Sequence, residues 1–230
     1  MSAQRLMALG LTILGLHGGR LQAQEQARQR LVEINTTEGR MVVALYNETP
    51  AHRDRFLQLV QAHAYDSTLF HRVVPGFMVQ GGDPDSRRAD DRSRPLGSGG
   101  QTDPIAAEID PRSIHRKGAL AAARQPDEVN PEKRDGIQFY LVHGRTYRRS
   151  DLERLLERRR AATTDSIPDY TPEQIDTYWN LGGAPHLDGA YTIFGEVVEG
   201  LEVLDAIAAV PCDGYDRPLT DVRMWMTLLP

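Results

Sequence analysis

The chain has 230 residues, of which 40% are hydrophobic and 26% charged, and it carries a single cysteine, Cys212. That length suits one domain with an addition, and the composition excludes both a disordered chain and a small disulfide-stapled one, since a lone cysteine forms no intrachain bridge. A formal net charge of −5 argues against a nucleic-acid partner, which favours a basic surface.

Arg5 precedes an apolar run over residues 6–16, which is too short to cross a bilayer. The pattern predicts a signal peptide over residues 1–23, cleaved after Leu21, Gln22 and Ala23, and a mature domain over residues 24–230. An uncleaved anchor or a short amphipathic arm is the alternative. No cysteine follows the apolar run, so the lipoprotein route is closed. Removing Arg5 and Arg20 moves the formal charge from −5 to −7, and no stable membrane insertion is expected after cleavage.

Val32 and Ile34, then Met41, Val43 and Leu45, alternate on either side of a turn at residues 36–39, which predicts a β-hairpin. Pro50 opens a helix to about residue 63, with Phe56, Leu59 and Val60 at helical spacing. Strands are expected at residues 69–74 and 77–80, broken by the turn dipeptide Pro75-Gly76, and a long loop follows over residues 81–112. Short apolar runs at residues 119–123, 137–142, 191–198 and 222–228 read as strands, and residues 201–209 as a second core helix. Many short strands with turn punctuation suggest a closed barrel or a sandwich.

Residues 145–183 break that pattern. Ser150, Asp151, Leu152 and Glu153 have the form of a capping box, and Thr171, Pro172, Glu173 and Gln174 repeat it with proline at the first helical position. Gly182 and Gly183 end the second helix. The segment reads as an inserted helical pair outside the barrel.

Chemistry-bearing residues are densest in FHRVVPGFMVQGGDP, residues 70–84. In an extended strand Phe70, Arg72 and Val74 share one face and His71 and Val73 the other, so one side presents a guanidinium beside apolar surface. Met78 and Gln80 share a face opposite Phe77 and Val79, unless the Pro75-Gly76 break re-aims Phe77. Taken singly, each residue has a plain explanation: solvent for Arg72 and Gln80, core for Phe77 and Met78, a structural hydrogen bond for His71. Only the combination points to a site. Elsewhere Cys212 lacks an evident base, the seven histidines show no ligand spacing, and Ser98-Gly99-Gly100 lacks the lysine of a phosphate loop. Asp83 and Asp85 read as turn residues.

The segment at residues 70–84 resembles the signature of the cyclophilins. Three further segments agree in order: Lys117 and Gly118 followed by Ala119, Leu120, Ala121, Ala122 and Ala123; Gln138-Phe139-Tyr140; and Leu187-Asp188-Gly189 followed by Phe194-Gly195. The resemblance spans roughly residues 30–229 apart from the insertion. It implies a mainly β fold, a closed eight-stranded antiparallel barrel capped by two helices, and peptidyl-prolyl cis/trans isomerase activity on an outer face. Carried onto this sequence, Arg72 is the catalytic cation, and Phe77, Met78, Tyr140 and Leu187 line a proline pocket. Gln80, Ala123, Arg124 and Gln138 hold the substrate backbone, and His71 borders the groove.

His186 and Tyr191 sit at the rim where many members carry tryptophan and histidine, which implies weak binding of the inhibitor cyclosporin. Arg124 and Ile137 replace the usual asparagine and serine. No metal, nucleotide or other cofactor is implied, and the partners are proline-containing segments of folding proteins. With the leader, the resemblance implies an exported protein of the bacterial periplasm that assists the folding of other exported proteins. A rival reading is a module that binds proline segments without turnover, with the Arg- and Glu-rich insertion docking a partner.

Overall fold

Val32, Ile34, Met41, Val43 and Leu45 are fully buried in the computed structural model, and their runs pair as the antiparallel hairpin of β1 (Arg30–Thr36) and β2 (Gly39–Leu45). The structure describes residues 29–89, 92, 94–100, 103–125, 128–162 and 167–230, so the expected signal peptide lies outside the described residues. The remaining strands follow in chain order: β3 (Phe70–Val74), β4 (Met78–Gly81), β5 (Ile105–Ala106), β6 (Ala119–Ala122), β7 (Arg134–Asp135), β8 (Phe139–Val142), β9 (Ile193–Glu199) and β10 (Met224–Leu228). Eight of them form one antiparallel sheet in the order β10-β1-β2-β9-β6-β8-β4-β3, and β5 pairs with β7 apart from it.

The expected closure of the barrel is not met. The sheet is open, with β10 and β3 as its edges. Across that seam Leu69 and Arg223 form one isolated bridge, supported by Phe70 N–H on Val222 O at 2.9 Å and Met224 N–H on Thr68 O at 2.9 Å. The segments before β3 and β10 therefore meet, but the two strands themselves do not extend into a ladder.

Inside the curled sheet, alternate residues build the core. Phe139 touches Phe56, Tyr65 and Phe70 edge-on, with ring centroids at 5.7, 5.5 and 6.0 Å, a geometry that aromatic rings favour. Helix α1 (Pro50–Gln61) contributes Phe56 and Val60 and covers β9 and β10. Its first turn has no cap of its own. Instead Glu108, distant in sequence, accepts the N–H groups of Ala51 and His52 at 3.1 and 2.9 Å, an anion placed where the helix offers unpaired donors.

The inserted helical pair is present, as α2 (Arg149–Ala161) and α3 (Pro172–Asn180). Its second cap is as expected: Thr171 Oγ1 accepts from Gln174 N–H at 3.3 Å while Gln174 Oε1 accepts from Thr171 N–H at 2.9 Å. The first is not. The N-cap of helix α2 is Arg148, two residues before the expected Ser150, and the Asp151 carboxylate accepts the Arg148 N–H at 3.1 Å, because an acid three residues after the cap serves as well as a glutamate. Helix α4 (Leu201–Ala208) packs against β2, β3 and β4. Among the described residues no helix is long and apolar enough to cross a membrane.

Candidate functional site

Strands β4, β8 and β6 are neighbours, and their period-two alternation sorts side chains to two faces. Val79, Phe139, Leu141 and Leu120 go into the core, whereas Met78, Tyr140, Val142 and Ala121 form a second apolar cluster on the outside, with Phe77, Leu187 and Tyr191 packed against it. Gln80 lies directly opposite Tyr140 in the ladder, and Tyr140 opposite Ala121. The outer face is therefore an apolar floor with one amide at its border.

The Pro75-Gly76 turn delivers Phe77 to that floor. Proline followed by a glycine at φ +74° suits a type II turn, and Phe77 N–H closes it on Val74 O at 3.0 Å. His143 holds the turn from behind: its Nδ1 accepts Gly76 N–H at 2.9 Å, and Phe77 O accepts the N–H groups of His143 and Gly144, each at 3.0 Å. Phe77 thus joins Met78 on the outer face.

The parity expected for β3 is corrected in the same way. A register shift between Phe70 and Arg72 breaks strict alternation, so Phe70 is buried in the core with Val73 while Arg72 is exposed on the other side. Arg72 Nε lies 3.3 Å from Asp216 Oδ2, with the side chain 44% exposed. Only Nε is engaged among the described residues, so the Nη groups remain as donors. An exposed pair of this kind orients the guanidinium more than it stabilises the fold.

A depression of about 110 Å³ is lined by Arg72, Phe77, Met78, Gln80, Ala123, Arg124, Tyr140, Leu187 and Tyr191. It continues past Arg72, Gln80, Ala123 and Arg124 into a wider one of about 680 Å³, where His71 and Gln138 lie. His186 lines neither; its ring packs on Phe77 with centroids 5.2 Å apart. A chain of amides fixes Gln80: its Nε2 donates to Gln138 Oε1 at 3.0 Å, and Gln138 Nε2 donates to Gly99 O at 2.8 Å. The Arg124 side chain runs inward from the lining. Its guanidinium carbon sits 4.7 Å from the Tyr191 ring centroid, its Nη1 is 3.8 Å from Asp135 Oδ1, and the side chain is 2% exposed.

Several lining residues were not foreseen. Gln125, Arg92, Arg94, Arg217, Asp213 and Tyr215 border the wider depression, and Asp216 pairs with Arg72. Tyr215 is 89% exposed, an aromatic ring held out beside the groove. Its place after Gly214 in an acid-rich turn was the one available signal; the partnership of Asp216 with Arg72, 144 residues away, left none.

His71 is 5% exposed, and burial lowers its pKa from 6.5 to about 4, against an opposing pull from Asp83. Because the folded state favours the neutral ring, the unfolded chain binds more protons between these values. The associated stability is complete above pH 6.5 and is lost as pH falls through about 4. Relative to His71→Gln, the wild type should lose about 2 kcal/mol of unfolding free energy on going from about pH 7 to about pH 5. Urea unfolding at both pH values reads this; an unchanged difference between the two proteins would refute it.

The sequence profile of the family described as cyclophilin type peptidyl-prolyl cis-trans isomerase/CLD matches residues 31–227. A Streptococcus pyogenes protein named as a bifunctional phosphatase/peptidyl-prolyl cis-trans isomerase is 31% identical over 199 residues, which are 83% of this chain and 37% of the relative, so the chain spans about a third of that protein. A Staphylococcus aureus protein named as a peptidyl-prolyl cis-trans isomerase is 29% identical over 206 residues, 88% of this chain and 92% of the relative. Among solved structures, a Cryptosporidium parvum cyclophilin type isomerase superposes with a TM-score of 0.63 at 22% identity, over 88% of this chain and 99% of the other. That isomerase has also been crystallised in the presence of the dipeptide Ala-Pro, and that structure superposes with a TM-score of 0.60. On the span of the family match and the likeness of the fold, the chain belongs to the cyclophilin-type peptidyl-prolyl cis-trans isomerases.

Proposed function

We propose that the depression on the outer face of β4, β6 and β8 receives a proline ring, and that Arg72 catalyses rotation about the preceding peptide bond. One observation carries this reading: a partly exposed guanidinium stands at the edge of an apolar floor made by Phe77, Met78, Tyr140 and Leu187, with the Gln80 amide beside it. Peptide-bond resonance opposes rotation by about 18–20 kcal/mol, and no bond has to break. In the twisted transition state the prolyl nitrogen loses conjugation, and its lone pair becomes a hydrogen-bond acceptor that the planar ground state lacks. Arg72 donates there through Nη. A charge-assisted bond of about 1.5–3 kcal/mol that forms mainly in the transition state lowers the barrier rather than only tightening binding.

The apolar floor holds the ring while Gln80, restrained by Gln138, holds a neighbouring carbonyl, so one side of the bond is fixed and the other turns. Ala123 and Arg124 border the passage between the two depressions, where the peptide backbone lies, and His71 and Gln138 flank its continuation. His186 and Tyr191 form the rim. The leader-like residues 1–23 support an exported protein of the bacterial periplasm whose substrates are proline-containing segments of folding exported proteins.

Arg72→Ala should lower kcat/KM about tenfold to a hundredfold in a protease-coupled assay on a proline tetrapeptide; equal rates would end the catalytic reading and favour a binding module. Cyclosporin should bind weakly, because His186 and Tyr191 replace the broader tryptophan and the histidine at the rim. Calorimetry beside a tryptophan-containing relative checks this, and matched affinities would contradict it. Mass spectrometry of the protein exported by a bacterial host should find a mature chain beginning near Gln24; an intact N-terminus would replace the cleaved signal peptide with the uncleaved anchor or the amphipathic arm.

A further inference from the structure

One buried carboxylate joins the helical insertion to the back of the depression. Asp188 is 5% exposed, and its Oδ1 accepts the His115 N–H at 2.7 Å and lies 2.9 Å from His115 Nδ1. Its Oδ2 accepts the hydroxyls of Tyr178 at 2.6 Å and Tyr170 at 2.7 Å, the latter shared with Pro185 O at 3.2 Å. Tyr178 lies on α3 and Tyr170 in the segment before it, so the insertion supplies two of the four donors that a carboxylate can accept.

On the far side of His115, Nε2 is 2.9 Å from the Tyr140 hydroxyl, and the two rings lie 11° from parallel. Because the carboxylate can only accept, Nδ1 of His115 carries the proton. In the neutral ring Nε2 is then the acceptor, and Tyr140 donates to it. The hydroxyl is the atom of Tyr140 farthest from the backbone, so a bond there restrains the ring that forms a wall of the depression more than any contact nearer the strand.

We propose that His115 is a positioning residue for proline binding, and that the insertion acts on the pocket through Tyr170, Tyr178, Asp188 and His115 to fix the ring of Tyr140. This rests on the reading of the depression as the proline site. A phenylalanine in place of Tyr140 would be seated there by packing alone, since it offers nothing to His115 Nε2. Here a tethered ring is held against a module that lies outside the sheet. A wall that is merely positioned serves ground state and transition state alike, so loosening it raises KM and leaves kcat nearly unchanged.

The test is a cycle of isomerisation kinetics with wild type, Tyr170→Phe/Tyr178→Phe, Tyr140→Phe and the triple variant, each at varied concentrations of a proline tetrapeptide. The two insertion changes should raise KM about threefold to tenfold with kcat near wild type, and the increase should shrink below about twofold when Tyr140 is already phenylalanine. His115→Leu should behave in the same non-additive way with Tyr140→Phe. An unchanged KM, or the same increase in both backgrounds, would overturn the proposal and leave the insertion a decoration. These tyrosine changes remove single oxygen atoms; if the pair fails to fold, Tyr170→Phe alone, which keeps the Tyr178 bond, carries the same cycle. Activity insensitive to Arg72→Ala would instead strike the reading of the site itself.

Discussion

Phe139 and Tyr140 are adjacent in the chain and point to opposite sides of the sheet, and the placement of nearly everything else follows from that alternation. Phe139 is locked into the core by edge-on contacts with three aromatic rings, which leaves Tyr140 no choice but the outer face. A slip of one residue would exchange them, exposing a phenylalanine and burying a hydroxyl among apolar rings, so the register is strongly determined. The same rule places Met78 outside and Val79 inside on β4, and Ala121 outside and Leu120 inside on β6. The apolar floor is thus the reverse side of a well-packed interior, and its geometry inherits the rigidity of that interior.

The loops around the floor are held differently, by buried carboxylates. Asp83, with no exposed surface, accepts N–H groups from Asp85 at 2.9 Å and Gly97 at 2.5 Å and so draws the long loop down beside His71. Asp135, equally buried, is 3.0 Å from His52 Nε2 and accepts the Thr192 hydroxyl at 3.1 Å, tying the strand after the loop to α1 and to the start of β9. Asp188 performs the third such task. Loops carry backbone donors that packing cannot satisfy, and an acceptor-only group with several lone pairs gathers them efficiently. The loops around the depression are thereby fixed by the protein's own hydrogen bonds, whatever occupies it.

Much of this was legible in the chain because it is local. The first hairpin, α1, the Pro75-Gly76 turn and the Thr171 cap each depend on residues within a few positions of one another, and all four stand where the sequence puts them. The candidate site was legible only through resemblance, since Arg72 or Gln80 alone is explained by solvent. What escaped was non-local or arose from a single irregularity. The bulge after Phe70 reversed one side chain, the seam between β3 and β10 stayed open, and Arg124 turned inward beneath Tyr191 toward Asp135. Asp216 and Asp188 find their partners across long stretches of chain, where neither periodicity nor composition carries a signal.

The sheet order has a temporal meaning. β1 pairs on one side with its immediate neighbour β2 and on the other with β10, where Val32 faces Leu228. The counter-ion of Arg72 likewise arrives late, in the turn before β10. During synthesis, therefore, the floor of the depression can assemble while one edge of β1 still lacks its partner and the guanidinium still lacks its carboxylate. The stretch from Asp216 to Leu228 supplies both, so the edge of the first hairpin and the ion pair at the depression depend on one and the same late segment of the chain.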